Sequence, residues 1–136
     1  MITSAIEVEQ HIYNTIKDYV ESNISGKLYH MNCRPLNSSL EDAVIGISTL
    51  DAEQVQTGRA RINIYCADID NGKGRKMPNL ERLGKLSLLA NNIVELLNDA
   101  NTDYDWYLFQ APQIEAEMNV KQHFVSIGLE FNLITF

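Results

Sequence analysis

The sequence predicts an α+β protein in which two helices pack on a mostly antiparallel sheet, with the element order α-β-β-β-α-β-β-β. Apolar residues recur at helical spacing near the N-terminus and again after residue 80, whereas the last part of the chain alternates apolar and polar residues with a period of two. No internal repeat or linker interrupts the 136 residues, a length that suits one domain with its own core. We therefore expect a single domain spanning residues 1–136.

The first helix is predicted over residues 4–22. Ser4 and Glu7 have the spacing of a capping box. Apolar residues then follow on one helical face at Ala5, Val8, Ile12, Ile16, Tyr19 and Val20. Gly26 is expected to terminate this region in the left-handed conformation, which glycine adopts without steric cost.

Three strands are expected after this helix, over residues 27–33, 43–50 and 59–68. The third has the clearest pattern, because one set of alternate residues is apolar and the other is mostly polar. The apolar set is Ala60, Ile62, Ile64 and Cys66. The turn-rich residues 34–39 connect the first two strands, and the polar residues 51–58 are expected to form a hairpin loop.

The second helix is predicted to begin at Leu80, after a flexible basic loop over residues 71–76 that contains Lys73, Arg75 and Lys76. Apolar residues form a wide stripe on this helix, at positions 83, 86, 89, 90, 93, 94, 96 and 97. A stripe of this width predicts a helix that lies flat across a sheet.

Three more strands are expected over residues 104–109, 114–120 and 123–136. In the last one a single apolar face contains Val125, Ile127, Leu129, Phe131 and Leu133. Its final residues are apolar on both faces, so we expect them to be covered by this chain or by a neighbouring copy. Leu133, Ile134 and Phe136 are therefore candidate subunit-interface residues.

The aromatic residues of the 104–109 strand divide between its two faces. We assign Trp106, with Tyr104 and Leu108, to the core. Tyr107 and Phe109 lie outside this set, and they are further interface candidates because aromatic residues are enriched where proteins meet.

The net charge of −7 argues against a nucleic-acid partner, since binding to phosphate depends mainly on clustered lysine and arginine. The acidic charge is uneven, and residues 99–136 have a net charge of −5. The basic loop lacks the spacing of a phosphate-binding P-loop. Lys73, Arg75 and Lys76 are instead candidates for docking onto the acidic C-terminal region of a neighbouring copy.

The first residues contain neither a basic nor an apolar signal region, and no apolar run approaches the roughly 20 residues that span a bilayer. We therefore expect a cytosolic protein without a membrane partner, in which the two cysteines are reduced.

Residues capable of chemistry do not form a recognisable catalytic or metal-binding motif. His30 and Cys33, together with Cys66 and Asp68, lack the paired spacing typical of structural zinc sites. Acidic pairs such as Glu41-Asp42 and Glu115/Glu117 are alternatives for acid–base catalysis, but solvated surface positions explain them equally simply. We expect no catalytic residue, no metal and no cofactor.

Several segments together resemble the tail terminator, or tail-completion, family of long-tailed phages. They are Arg34-Pro35 through Ser39, Glu41-Asp42 with Val44-Ile45, Gly58 with Ile62-Asn63-Ile64-Tyr65, the leucine-rich second helix and the closing strand over residues 123–131. The resemblance implies a small protein without catalytic residues, with helices on an antiparallel sheet. It also implies a homo-oligomeric ring, typically a hexamer, that ends the tail tube and meets the head connector.

This resemblance places the protein in the host cytoplasm during assembly and in the virion afterwards. Two alternatives stay open. In the first, the chain is another neck or minor tail protein. In the second, it is a small cytosolic enzyme or ligand-binding module with a pocket between helix and sheet.

Overall fold

All helices of the computed structural model lie on one face of a large, mostly antiparallel sheet, which confirms the predicted α+β class. The structure describes residues 4–51, 55–70, 72–101, 103–117 and 121–134. Its elements are α1 (Ala5–Glu21), β1 (Leu28–His30), β2 (Ala43–Leu50), β3 (Val55–Ala67), β4 (Ile69–Asp70), β5 (Lys76–Met77), α2 (Leu80–Ser87), α3 (Leu89–Ala100), β6 (Tyr104–Leu108), β7 (Gln113–Glu117) and β8 (Gln122–Ile134).

Helix α1 begins as its sequence predicts. The Ser4 hydroxyl accepts the Glu7 backbone N–H at 3.2 Å, and one residue per turn is fully buried: Val8, Ile12, Ile16 and Val20. The predicted role of Gly26 is wrong, because positive φ angles occur at Asn32, Gly72 and Gly74 but not at Gly26. A Cβ atom at Gly26 would lie 2.0 Å from Asp42 Oδ1, so the position requires glycine for lack of space.

The main sheet has the order β1-β2-β3-β8-β6, and β7 also pairs with β8. Strand β1 is parallel to β2, whereas the other neighbours are antiparallel. Strands β3 and β8 pair continuously from Val55↔Ile134 to Ala67↔Gln122. Strand β3 starts at Val55, so the loop predicted over residues 51–58 is shorter than expected, and residues 52–54 of it lie outside the described ranges.

Strands β6 and β7 are two parts of one outer line along β8. The first pairs from Tyr104↔Leu133 to Leu108↔Leu129, and the second from Gln113↔Ser126 to Glu117↔Gln122. Residues 109–112 therefore lie opposite only residues 127 and 128, which makes a bulge of two extra residues. The predicted 114–120 strand is β7 up to Glu117, and its residues 118–120 are outside the described part of the chain.

The predicted second helix is divided into α2 and α3 at Leu88, whose side chain is 71% exposed. The Asn79 side chain caps α2 by accepting the Arg82 backbone N–H at 3.3 Å. The apolar stripe is buried at Leu83, Leu86, Leu89, Ala90, Ile93 and Leu97. The prediction of a flat helical layer on the sheet is therefore correct for most of its positions.

The core lies between the helices and one face of the sheet. Strand β8 contributes the predicted alternate residues, all buried: Val125, Ile127, Leu129, Phe131 and Leu133. Trp106 packs 4.8 Å from Phe131 between ring centroids, and Tyr104 and Leu108 pack against this cluster, as predicted. Among the described residues, no helix is both long and apolar enough to cross a membrane.

The segment predicted as a flexible basic loop contains a small hairpin. Ile69 pairs with Met77, and Asp70 pairs with Lys76. Gly72 and Gly74 in its turn have φ angles of 83° and 76°, where side chains are strained. The hairpin is exposed and leads directly into α2.

Candidate functional site

The sheet has an open face that the helices do not cover. Alternate residues of β3 point to it, because their neighbours in the strand are buried against the helices. These open-face residues are Arg59, Arg61, Asn63 and Tyr65, and they pair across to Glu130, Gly128, Ser126 and Phe124 of β8. The polar face predicted for β3 is therefore the exposed surface of the sheet.

The Phe109 ring packs on this face above Gly128. A Cβ atom at Gly128 would lie 2.6 Å from the Phe109 ring, so only glycine leaves room for it. The guanidinium carbons of Arg59 and Arg61 lie 4.3 and 5.3 Å from the ring centroid, which are distances of cation–π contacts. Phe109 is thus half-buried by its own chain, and it offers less free surface to a partner than the sequence suggested.

Tyr107, the other aromatic candidate, is 38% exposed beside this cluster. Its hydroxyl donates to Glu130, which also accepts from Arg59 Nε at 2.9 Å. These two hydrogen bonds, first that of Tyr107 and then that of Arg59, lower the pKa of the Glu130 carboxyl. The hydrogen bond between Tyr107 and Glu130 also raises the pKa of the Tyr107 hydroxyl. Tyr107 therefore presents its ring at the surface with a fixed orientation.

A groove of about 610 Å³ lies at the other end of the open face. The loop after β1 forms one wall with Met31 and Leu36, and β3 forms the floor with Asn63 and Tyr65. Met31 and Leu36 are 48% and 92% exposed. The groove is therefore apolar at its rim, and it lies on the opposite side of the sheet from the pocket that the alternative enzyme hypothesis expected.

Polar groups also reach this groove. The Arg34 guanidinium stacks 4.1 Å from the Tyr65 ring centroid, and Glu117 of β7 lies on the far wall. Within the described part of the chain, the buried Asn63 Oδ1 atom has no hydrogen-bond partner. The lining of the groove thus combines one cation, one carboxylate and one amide oxygen without a hydrogen-bond partner among the described residues.

Asp42 holds the loop that forms the groove wall. Its side chain is 1% exposed, and it accepts from Arg34 Nε at 3.0 Å, from the Lys27 backbone N–H at 3.0 Å and from the Ser38 hydroxyl. Arg34 also donates to the backbone carbonyls of Ser38 and Leu40. This network explains why Arg34, Ser38 and Asp42 occur together: one carboxylate fixes a loop that has almost no regular structure.

Glu41 has a similar role on the helical side. Its carboxylate accepts from Arg82 Nε at 2.6 Å and Nη2 at 2.8 Å, and from the Ser25 backbone N–H at 3.2 Å. The Arg82 hydrogen bond is the main reason that the pKa of Glu41 is lowered. A carboxylate held in its ionised form by a bidentate pair is a poor acid–base catalyst, so the contacts of Glu41 favour a structural role for it.

The predicted metal-capable residues are not brought together. His30 Nδ1 lies 2.8 Å from Glu9 Oε2 and its ring stacks on Tyr13 at 4.4 Å, while Cys33 is exposed nearby. Over the described residues, no group of three or more His, Cys, Asp and Glu side chains is placed to hold a metal ion.

A cysteine and a histidine are cross-strand neighbours at the end of β3, and the histidine contacts an aspartate, which the sequence did not reveal. Cys66 pairs across the ladder with His123, and His123 Nδ1 lies 2.7 Å from Asp68 Oδ1. This resembles the order of a nucleophile, a base and an orienting acid. However, Cys66 is 4% exposed, and burial raises the pKa of its thiol, which opposes nucleophilic reactivity. The proximity of Cys66 and His123 follows from the pairing of β3 with β8, which the local sequence pattern does not give.

The C-terminal interface candidates have different positions. Leu133 is 9% exposed and belongs to the core, where it pairs with Gln56 and Tyr104, so of the two expected covers, this chain or a neighbouring copy, it is this chain that covers it. Ile134 pairs through its backbone with Val55. Phe136 lies outside the described residues. The expected excess of apolar surface at Leu133 is covered by the protein's own helices and strands.

The docking candidates Lys73, Arg75 and Lys76 lie in the exposed β4–β5 hairpin, on the side of the chain that leads into the helical layer. No protein-family model and no curated protein matches this chain. Its candidate sites therefore rest on geometry: an open sheet face with one groove, an aromatic and arginine cluster, and a basic hairpin.

Proposed function

We propose that the protein is a structural component of a phage or prophage tail, of the tail terminator kind. In this proposal copies of the chain form a ring of six subunits that caps the tail tube and joins it to the head connector. The ring assembles in the host cytoplasm and remains in the virion. The resemblance of the Arg34 to Ile45 region and of the closing strand to that family supports this assignment.

The observation that carries the proposal is the open face of the sheet with its apolar rim. Met31 and Leu36 project there instead of closing a cavity, and Tyr107 is displayed at the other end of the same face. A fixed, partly apolar face of this kind is suited to contact with another protein surface. The two carboxylates considered for acid–base catalysis instead form ion pairs within the fold: Glu41 binds Arg82, and Asp42 binds Arg34.

Deletion of the coding sequence from its phage or prophage tests the proposal. We expect tail tubes of irregular length and heads without tails in electron micrographs, and restoration when the wild-type protein is supplied in trans. Purified protein should also form species several times the 15.4 kDa chain mass in sedimentation velocity runs as its concentration rises. Normal virions after deletion would overturn the proposal.

A ligand-binding module is the second candidate, and the groove favours it. Its volume of about 610 Å³ is in the range of small-molecule sites, and Arg34 and Asn63 supply polar groups. A thermal-shift screen with small carboxylates and phosphate esters tests this function. A shift that disappears in the Asn63→Leu variant would support it, and no shift with any compound would exclude these two ligand classes.

A further inference from the structure

Two separate segments of the chain have opposite charge. Residues 72–88, called here the basic segment, contain five cations and one carboxylate, a net charge of +4 in a chain of net charge −7. Residues 103–117, called here the acidic edge, contain four carboxylates and no cation, a net charge of −4. Charges of opposite sign that are segregated in this way steer two surfaces together and fix their relative orientation.

The carboxylates of the acidic edge are Asp103, Asp105, Glu115 and Glu117. None of them takes part in an ion pair within the described ranges of the chain. This edge is the outermost line of the sheet, and the first four residues of β7 are all exposed. Ile114, at 44% exposure, and Tyr107 add apolar surface to it. The acidic edge therefore has both a charge and an apolar component.

The basic segment has the matching composition. Lys76 and Lys85 are exposed, and Lys85 makes only a surface pair with Glu81 at 3.6 Å. Exposed apolar side chains lie among these charges, with Met77, Leu80 and Leu88 at 39%, 59% and 71% exposure. The β4–β5 hairpin and α2 thus present a partly apolar surface of positive charge.

The two surfaces belong to different layers of the molecule. Glu115 pairs with Phe124, an even-numbered β8 residue, whereas the odd-numbered β8 residues are buried against the helices. Glu115 and Glu117 therefore point to the open face, while Leu80 and Leu88 lie on the helical layer. Complementary patches on different faces produce head-to-tail contacts, which close into a ring when the rotation between subunits allows it.

We infer that the basic segment of one copy docks on the acidic edge of the next copy. This inference rests on the proposed ring function and names its subunit contact. The occupant of each surface is a second copy of this chain, since the two segments have net charges of opposite sign, although Arg82 of the basic segment is already paired with Glu41, and each adds exposed apolar residues.

Charge reversal and mixing test this contact. One variant carries Glu115→Lys with Glu117→Lys, and the other carries Lys76→Glu with Lys85→Glu. In each variant alone the two reversed residues cancel the net charge of their segment, so the attraction between the two segments is lost and we expect self-association at least about tenfold weaker than in the wild type. When the variants are mixed in equal amounts, the unaltered basic segment of one variant meets the unaltered acidic edge of the other, and at the alternate contacts the reversed residues face each other with opposite charges, so assembly should return with alternating copies.

The matched control for the Glu115→Lys, Glu117→Lys variant is Glu95→Lys with Asp99→Lys, which makes the same change in net charge on exposed residues of α3. Sedimentation velocity at low and at physiological salt measures the species, and circular dichroism confirms folding of each variant. Wild-type assembly that persists in both reversed variants, or that is weakened equally by the control, overturns this contact but not the ring. A wild-type chain that stays monomeric at all concentrations overturns both.

Discussion

At the scale of single residues, several positions are determined by one close contact rather than by secondary-structure preference. Gly26 leaves room for the Asp42 carboxylate, and Gly128 leaves room for the Phe109 ring. Glu41 and Asp42 are adjacent in sequence but fix different parts of the molecule, one through Arg82 and the other through Arg34. These contacts connect the loops around β1 to the sheet and to α2.

Replacing Gly26 by alanine should destabilise the protein. The new Cβ atom would lie 2.0 Å from Asp42 Oδ1 and 2.6 Å from the Glu41 carbonyl oxygen, so the buried carboxylate must move. We expect a loss of roughly 1–3 kcal/mol in the free energy of unfolding, measured by urea denaturation. Gly84→Ala is the control, because a Cβ there meets no atom within 4 Å and alanine favours the helix. Equal stability of the two variants would contradict the steric argument.

Glu41→Gln should remove a pH-dependent part of the stability. The pKa of Glu41 is lowered in the folded protein, mainly by its hydrogen bond from Arg82. The stabilisation is therefore complete above the usual value of 4.5, and it is lost as the pH falls through the lower folded pKa. We expect a loss of about 1–3 kcal/mol at neutral pH that shrinks below pH 4.5.

Urea denaturation of the wild type and the Glu41→Gln variant over this pH range measures the effect. Glu81→Gln is the control, since Glu81 forms only an exposed pair with Lys85 and its loss should change stability little. A stability difference that stays constant down to acidic pH would show that the ionised Glu41 carboxylate is not the stabilising group.

At the scale of elements, β8 organises the sheet, because it pairs with β3 along one side and with β6 and β7 along the other. Local patterns predicted this strand and its buried face correctly, since alternation depends on neighbouring residues. The same patterns placed Leu133 at an interface, because its partners Gln56 and Tyr104 are far away in sequence. Register between distant strands is not encoded in a local period.

The same limit explains the other differences between expectation and structure. Nothing in the spacing of residues 104–120 shows that Phe109 folds back over Gly128, which lies on another strand. The turn residues near Gly26 suggested a helix terminator, whereas the contact with Asp42 decides that position. The alternation of β3 predicted a polar face for this strand. The contacts of that face with Glu130 and Phe109 could not be predicted, because they depend on which strands are neighbours in the sheet.

Deletion of residues 133–136 should unfold the monomer rather than only weaken assembly. Leu133 is buried in the core, and its loss alone should cost about 2–5 kcal/mol. Far-UV circular dichroism and thermal melting of the truncated protein measure the outcome. Ile114→Ala is the exposed-strand control, with little expected effect. A truncated protein with wild-type melting would contradict the central position of β8.

At the scale of the whole molecule, the two halves of the chain share one core. Strand β3 from the first half pairs with β8 from the second over their full lengths, and α1 packs with α3 on the same sheet face. Neither half contains all the strands of the main sheet or all the helices that pack on it. The open face of the sheet is the face that the helices leave uncovered.

We therefore expect cooperative unfolding of the chain. Far-UV and near-UV circular dichroism should give coincident urea transitions, because the Trp106 environment and the β3–β8 ladder depend on each other. A fragment of residues 1–101 should not fold, since it lacks β6, β7 and β8. Two resolved transitions, or a folded fragment, would show that the chain contains independent units.

The break between β6 and β7 has a consequence for the protein's solubility. An uninterrupted outer strand would offer a long row of unpaired amide and carbonyl groups, which is a template for fibrillar growth by strand addition. The two extra residues at 109–112 interrupt that row, and the glutamates of β7 place like charges where an identical strand would approach. At high local protein concentrations, this edge favours recognition through side chains over uncontrolled backbone pairing.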